Sequence, residues 1–354
     1  MTEQPIKTKH HYVPVCYLRE FTPSGAKDAP IRVTDLDTGE RWTSRPAKSG
    51  CENDYNSVEG DLRSDAIEDV FSQIESSSAP IWKRMIESGK VPSDPHELNW
   101  MMNFLALLQA RTKPNRRALH QMHVSVYNKI TDLITATPER FEGQIRKMKG
   151  DGVDIPELPE GTTLEDVRRK IRDGSIFLDA NIHNNYYIEK MMEHIDLMLH
   201  LFHDRHWSVC DLSSTGVQLI TSDDPVSNVW TIPMPPIHPP GFGMTKTMVV
   251  VPLNTRKVLL GAFDPKDLEI QPSRELALRL NHVTLGRAFR FVYSADEDIS
   301  FIDAEEASGD TLDLDTFISE RLKEHGKSDE KKYVHEFGPL IILSPSREPN
   351  SILL

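Results

Sequence analysis

Two adjacent histidines, His10 and His11, stand before Tyr-Val-Pro in "KTKHHYVPVCYLREF", residues 7–21. Histidine titrates near neutrality and serves as base, acid or metal ligand. Neighbouring side chains in a helix or strand point in different directions, so the two do not share one metal. One of them is a candidate ligand or general base, unless it simply hydrogen-bonds backbone and fixes the N-terminal segment. A second group lies in "LITSDDPVSN", residues 219–228, where a strand exits into a loop through Asp223 and Asp224. Loops on a rigid support carry function, and paired carboxylates hold a hard cation or act as a base. The same residues also suit an Asx-type turn that caps its own backbone before Pro225.

Glu68 and Glu75 share one face of "AIEDVFSQIESSSAPIW", beside its apolar stripe. They lie roughly 10 Å apart along the axis at about 1.5 Å per residue, so at most one belongs to any single site. In "LLQARTKPNRRAL", Gln109 and Arg111 end an apolar helix, and Lys113, Arg116 and Arg117 complete the densest basic cluster. Arginine's planar fork suits phosphate or carboxylate. Arg111, Lys113, Arg116 and Arg117 are therefore the expected contacts for a nucleic-acid backbone, set against a plain solvated turn. His200, His203 and His206 recur every third residue without the H-E-x-x-H zinc pattern. Arg117 and His123 have a spacing found in metal-independent helical ribonucleases. "GFGMTK" is too short for a phosphate loop, and no G-x-S-x-G elbow is present.

Elements must bring these residues together. The 354 residues suffice for one large domain or two intimately packed ones. The net charge of −13 repels polyanions overall, so nucleic-acid binding needs a local basic patch. Cys16, Cys51 and Cys210 are far apart and form no C-x-x-C, which argues against a thiolate zinc site and a disulfide framework. The N-terminus has no apolar signal region, and no apolar run approaches the ~18 residues of a membrane span. The chain reads as soluble, cytoplasmic and of bacterial type, with no membrane partner.

Residues 1–9 read as a flexible N-terminus, and Pro14 as the start of a short helix. "PIRVTDLDTGERWTS" reads as a hairpin. Apolar spacing predicts helices through Ile67–Met85, Leu98–Leu108 and beyond Pro114. Thr163 with Asp166 has a capping-box layout, and another helix covers 185–203. After Arg205, "HWSVCDL" and "GVQLITS" read as a hairpin around "SSTG". "TKTMVVVPL" and "KVLLGAF" read as strands, "SRELALRLNHVTLGRAF" as a helix, "FRFVYS" as a strand. A helix near 311–324 and a final strand "GPLIILSP" complete the pattern. The fold class is α+β: a helical middle segment packed with a mixed or antiparallel sheet formed mainly by the C-terminal half. The first strands are available to join that sheet. The expected organisation is a single domain over 10–295, divided into 10–60, 61–204 and 205–295, with a charged extension over 296–354.

"HHYVPVCYLREF", "ENDYN", "IEDVFSQIE", "LLQARTKPNR", "LITSDDPV", "VVVPL", Asn281 and "FRFVYS" occur in an order that resembles one bacterial group, domain of unknown function 4238. The resemblance covers roughly residues 9–295. It implies that His11, Tyr12, Pro14, Glu68, Glu75, Gln109, Arg111, Ser222, Asp223 and Pro225 are the polar signature positions. Asp224 stands where the group has asparagine, and His10 falls on a variable position. The resemblance brings no activity with it. Signature residues of these types suggest a convergent polar site, with His11 turned inward to meet Asp223 and the glutamate-bearing helix. The leading expectation is a metal-dependent hydrolase, a nuclease in a defence or toxin-like role. His11, Glu68 or Glu75, and Asp223 would hold Mg²⁺ or Mn²⁺, Arg111 would grip phosphate and Gln109 would orient substrate or water. Two other readings stay open: a non-catalytic binding module held by a buried hydrogen-bond network, and a metal-independent ribonuclease using Arg117 and His123.

Overall fold

The computed structural model describes residues 6–26, 28–60, 63–153, 155, 158, 161–173, 182–235, 237–302 and 311–325. Its helices are α1 (Val15–Leu18), α2 (Ala66–Ser88), α3 (Pro95–Ala110), α4 (Lys113–Thr135), α5 (Pro138–Gly150), α6 (Leu164–Arg172), α7 (Asn184–His203), α8 (Arg274–Arg287) and α9 (Leu314–His325). The strands of the first half are β1 (Lys9–His11), β2 (Ile31–Asp35), β3 (Arg41–Ser44) and β4 (Cys51–Asn53). Those of the second half are β5 (His206–Asp211), β6 (Thr221–Ser222), β7 (Ser227–Trp230), β8 (Thr247–Pro252), β9 (Lys257–Ala262), β10 (Phe291–Ser294), β11 (Phe301–Ile302) and β12 (Thr311–Leu312). The class is α+β with antiparallel sheets. The expected strand "GPLIILSP" lies outside the described residues.

The chain divides into two compact units, Met1–Pro114 with Ile188–Leu354, and Asn115–Tyr187. The larger unit holds two four-stranded sheets, ordered β3-β2-β10-β6 and β5-β9-β8-β7. The early hairpin β2–β3 therefore does join strands of the C-terminal half, through β10. β1 pairs with β4, placing His11 opposite Cys51. The expected hairpin around "SSTG" does not form. β5 pairs with β9, and β6 pairs with β10 in the other sheet. β8 and β9 are nearly continuous apolar strands, buried on both faces, and claim β5 as their neighbour. The intervening segment settles elsewhere: Leu219 N–H donates to Thr255 O and Ile220 N–H to Asn281 Oδ1. Residues 223–226 are then the short bridge between the two sheets.

α2 and α3 carry the apolar stripe that the spacing predicts. Phe71, Trp82, Met85, Met101, Phe104, Leu105 and Leu108 enter one core with Val249, Val251 and Leu259 of the β8–β9 pair. Trp82 meets Phe104 edge-on at 5.1 Å. Asp94 caps α3 by accepting the His96 and Glu97 N–H groups, and Pro95 occupies the first turn. The core thereby fixes where α3 ends, at Arg111.

Gly261 sits opposite Trp207 in the β5–β9 ladder. A Cβ there would lie 2.5 Å from the Trp207 ring. The indole is already tied by its N–H to Phe202 O at 2.9 Å. Gly261→Ala is expected to destabilise the protein by about 1–3 kcal/mol through overpacking. A lower urea midpoint together with changed tryptophan fluorescence checks this.

The smaller unit contains α4 from Asn115 onward, α5, α6 and the first residues of α7. The Thr163–Asp166 capping box is formed in both directions. Arg168 donates to Thr135 O at 2.7 Å, tying α6 to the end of α4. No helix among the described residues is long and apolar enough to cross a membrane.

Candidate functional site

Arg111 is the residue that closes α3, and its N–H still bonds Leu107 O. Its side chain is 1% exposed, the largest fully buried side chain among the described residues. One guanidinium nitrogen, Nη1, donates to Glu75 Oε1 at 2.7 Å, and the group lies 5.8 Å over the Phe71 ring. Nε and Nη2 are buried without a hydrogen-bond partner. A buried cation with two unpaired donors is costly, and a native structure keeps one for a reason.

His11 is in electrostatic contact with this pair. Burial lowers its pKa first, the Arg111 charge lowers it further, and Glu75 opposes the shift. A ring N–H donates to the Ala47 carbonyl, while Nε2 is buried and unpartnered. The bonded nitrogen is therefore Nδ1, and the neutral ring keeps its lone pair on Nε2. Cys16 lies within the same field, its thiol pushed up to about 12 chiefly by burial and then by Glu75. His11 thus lies in the field of the Glu75–Arg111 pair.

Asp223 belongs to a neighbouring cluster. It is fully buried, and its two oxygens accept the backbone N–H groups of Phe289, Arg290 and Phe291 at 2.8–3.0 Å. Burial pushes its carboxyl up to about 7, with Asp224 adding to the shift against those donors. Its charge acts on the phenols of Tyr12 and Tyr293, which hydrogen-bond each other. Asp224 pairs with Arg287 at 2.7 Å, and Asp35 takes Arg290 in a two-pronged pair at 2.6–3.1 Å. The "SDDPV" bridge therefore clamps the turn from α8 into β10. Tyr12, one residue beyond His11, links this clamp to the other cluster.

His10, on the variable position, is the fully buried histidine. Its Nε2 bonds Lys7 O at 2.8 Å and its Nδ1 accepts the Asn56 N–H at 2.8 Å. Asn56 in turn donates to Glu68 at 2.8 Å. This chain locks the N-terminal strand to α2, and it separates Glu68 from Glu75. Gln109 bonds His194 of α7 at 2.6 Å. Sequence reasoning missed Asn56, His194 and Tyr293 as partners, because each meets its residue from a distant part of the chain.

The basic cluster does not form one surface. Arg111 faces the core, and Lys113 pairs with Glu52 and sits 4.9 Å over the Tyr12 ring. Arg116 and Arg117 are half-buried in the smaller unit, where His123 bonds the Tyr186 hydroxyl at 2.8 Å. His200, His203 and His206 are exposed, the first two on α7 and the third on β5. Among the described residues, no group of three or more His, Cys, Asp or Glu side chains is arranged to hold a metal ion. His11, Glu68, Glu75 and Asp223 are thus spread over three local networks.

No curated protein and no solved structure matches the chain. One family model does, and it spans both clusters from His10 to the β10 strand. Over residues 9–298 the chain matches, and belongs to, the family described as Protein of unknown function (DUF4238).

Proposed function

We propose that the chain is a hydrolase of phosphate esters, a nuclease in the form its sequence suggests, acting at His11, Glu75 and Arg111. One observation carries this reading: a buried guanidinium with two unpartnered N–H edges in the field of a histidine whose Nε2 is itself buried and unpartnered. Arginine's fork matches two oxygens of a phosphoryl group. Glu75 holds the fork in place from its far edge. His11, kept neutral, takes a proton from the attacking water, whose oxygen bonds to phosphorus as the ester oxygen leaves. Arg111 balances the charge that develops on the phosphoryl oxygens. Asp223 is taken up by backbone N–H groups and Glu68 by the Asn56 side chain, so Mg²⁺ or Mn²⁺ would find Glu75 as its carboxylate here.

Melting curves with phosphate and vanadate test the oxyanion site. Assays on an activated phosphodiester, with Mg²⁺, Mn²⁺ or EDTA, test the chemistry. Saturating oxyanion is expected to raise the melting temperature by mass action. The acid limb of kcat/KM is expected below the ordinary histidine value of 6.5, because burial and Arg111 disfavour the protonated ring. His11→Gln is expected to remove that limb with most of the activity. No oxyanion effect and no hydrolysis in any condition would end this reading.

A second reading is the non-catalytic module. The three N–H groups on Asp223 and the His10–Asn56–Glu68 chain favour it, since both are locking networks. It expects His11→Ala to cost stability with no ligand effect to lose.

A further inference from the structure

The smaller unit carries a set of groups that the phosphoester reading leaves unused. Along α4, Arg116, His120, His123 and Tyr127 fall at i, i+4, i+7 and i+11, one face of a helix. That stripe is about 16 Å long at about 1.5 Å per residue. Arg116 stacks over the Tyr187 ring at 4.6 Å and bonds Asn184. His120 Nδ1 meets the Tyr187 hydroxyl at 2.7 Å, and His123 Nε2 meets the Tyr186 hydroxyl at 2.8 Å. The His123 and Tyr186 rings stand edge to face at 5.0 Å. Tyr127 continues the stripe with a ring that is 50% exposed.

We propose that this face of the smaller unit binds single-stranded nucleic acid. Aromatic rings in series with a guanidinium are what single strands recognise, bases on the rings and phosphates on the cation. Arg116 ends the first turn of α4 and Arg117 follows it, near the helix end whose dipole favours an anion. The charge distribution allows it. The whole chain carries −13, whereas residues 115–187 hold eleven Lys and Arg against eleven Asp and Glu. The unit therefore lacks the negative excess that would repel a polyanion. The half-buried His–Tyr pairs hold the rings in fixed orientation, which lowers the ordering cost of stacking. This inference does not depend on the chemistry at Arg111.

The test is fluorescence anisotropy of the full-length chain with labelled twelve-nucleotide RNA and DNA single strands, and with the corresponding duplex, at low and at physiological salt. Single strands are expected to bind more tightly than duplex, and binding is expected to weaken as salt rises. Tyr127→Ala removes an exposed ring and is expected to weaken binding about ten-fold with an unchanged melting temperature. Arg116→Ala is expected to weaken binding and flatten the salt dependence. Lys83→Ala, which removes an exposed cation of α2 in the other unit, serves as the control and is expected to leave strand binding unchanged. The RNA and DNA arms decide which sugar is preferred. No anisotropy change, duplex binding as tight as single-strand binding, or a Tyr127→Ala variant that binds like the native chain would each overturn the proposal.

Discussion

Asp223→Asn is expected to cost about 2–4 kcal/mol of stability at pH 5, the price of turning an amide toward backbone donors. Oδ1 accepts the Phe289 N–H, and Oδ2 accepts those of Arg290 and Phe291. At pH 5 the carboxyl is protonated and its hydroxyl oxygen still accepts, whereas an asparagine keeps a single acceptor on one side of that clamp. Its NH₂ then faces an N–H on the other side, and both donors are left unpaired in a fully buried place. Because Asp223 bridges the two sheets and holds the turn into β10, the loss is expected to be global. Urea denaturation should show a lower midpoint with unchanged slope.

The same residue makes this cost depend on pH. The folded-state pKa of Asp223 is raised to about 7 from 3.8, by burial first. A raised value means that folding disfavours the ionised form. The stability it contributes is full below 3.8 and is lost as pH rises through about 7. Three pKa units correspond to on the order of 4 kcal/mol. Asparagine does not titrate, so the gap between native and variant isolates this group. The gap is expected to close between pH 5 and pH 8, where the buried anion costs as much as the mismatched amide. A gap that stays constant would mean that the three N–H groups keep the carboxylate ionised throughout.

Particular residues show why some of this was legible in the sequence. Leu98, Met101, Met102, Leu105 and Leu108 give a helical period, and that period alone places Arg111 at the end of α3. Thr163 and Asp166 announce a helix start by local chemistry, and the box is there. The β2–β3 hairpin is short-range and formed as read. The partner of β5 was not legible, because β9 lies some fifty residues away and wins by burial on both faces, which no local spacing records. The site divides in the same way. The residue types offer Arg111 as a grip on phosphate and His11 and Glu75 as base or metal ligands, and in the fold His11 feels the charges of the other two, which pair with each other. Asp223 was named with them, yet its oxygens go to the backbone of Phe289, Arg290 and Phe291. A side chain's type tells what it can bond, and only the fold decides which neighbour arrives first. His10 illustrates this too, being the deeper of the pair because β1 pairing with β4 turns it toward Asn56.

Arg111→Met is expected to separate stability from function. Methionine has a similar reach and no charge, so it fills the space under Phe71 without the desolvation of a guanidinium. In the native chain that guanidinium has a single ion-pair bond, to Glu75, and two buried N–H edges with no partner. Such unpaired donors cost about 1–3 kcal/mol each, more on a charged group. Removing one partner of a buried pair costs about 3–5 kcal/mol when the other charge is stranded. Glu75 is not stranded, because its side chain is 25% exposed and can turn to water. The net change in stability is therefore expected within about 1 kcal/mol of zero, and Arg111→Met with Glu75→Gln should be at least as stable as the native protein. The stabilisation by phosphate or vanadate should vanish in both variants, and hydrolysis with it. His11 should titrate nearer its ordinary value, since the Arg111 charge is the second largest cause of its depression. NMR of the imidazole resonances reads that shift directly. If Arg111→Met instead loses several kcal/mol, and the native chain gains nothing from phosphate, the guanidinium is a structural tie between α2 and α3. Loss of oxyanion binding in a variant as stable as the native chain can only mean that the unpaired edges of Arg111 are kept for a ligand.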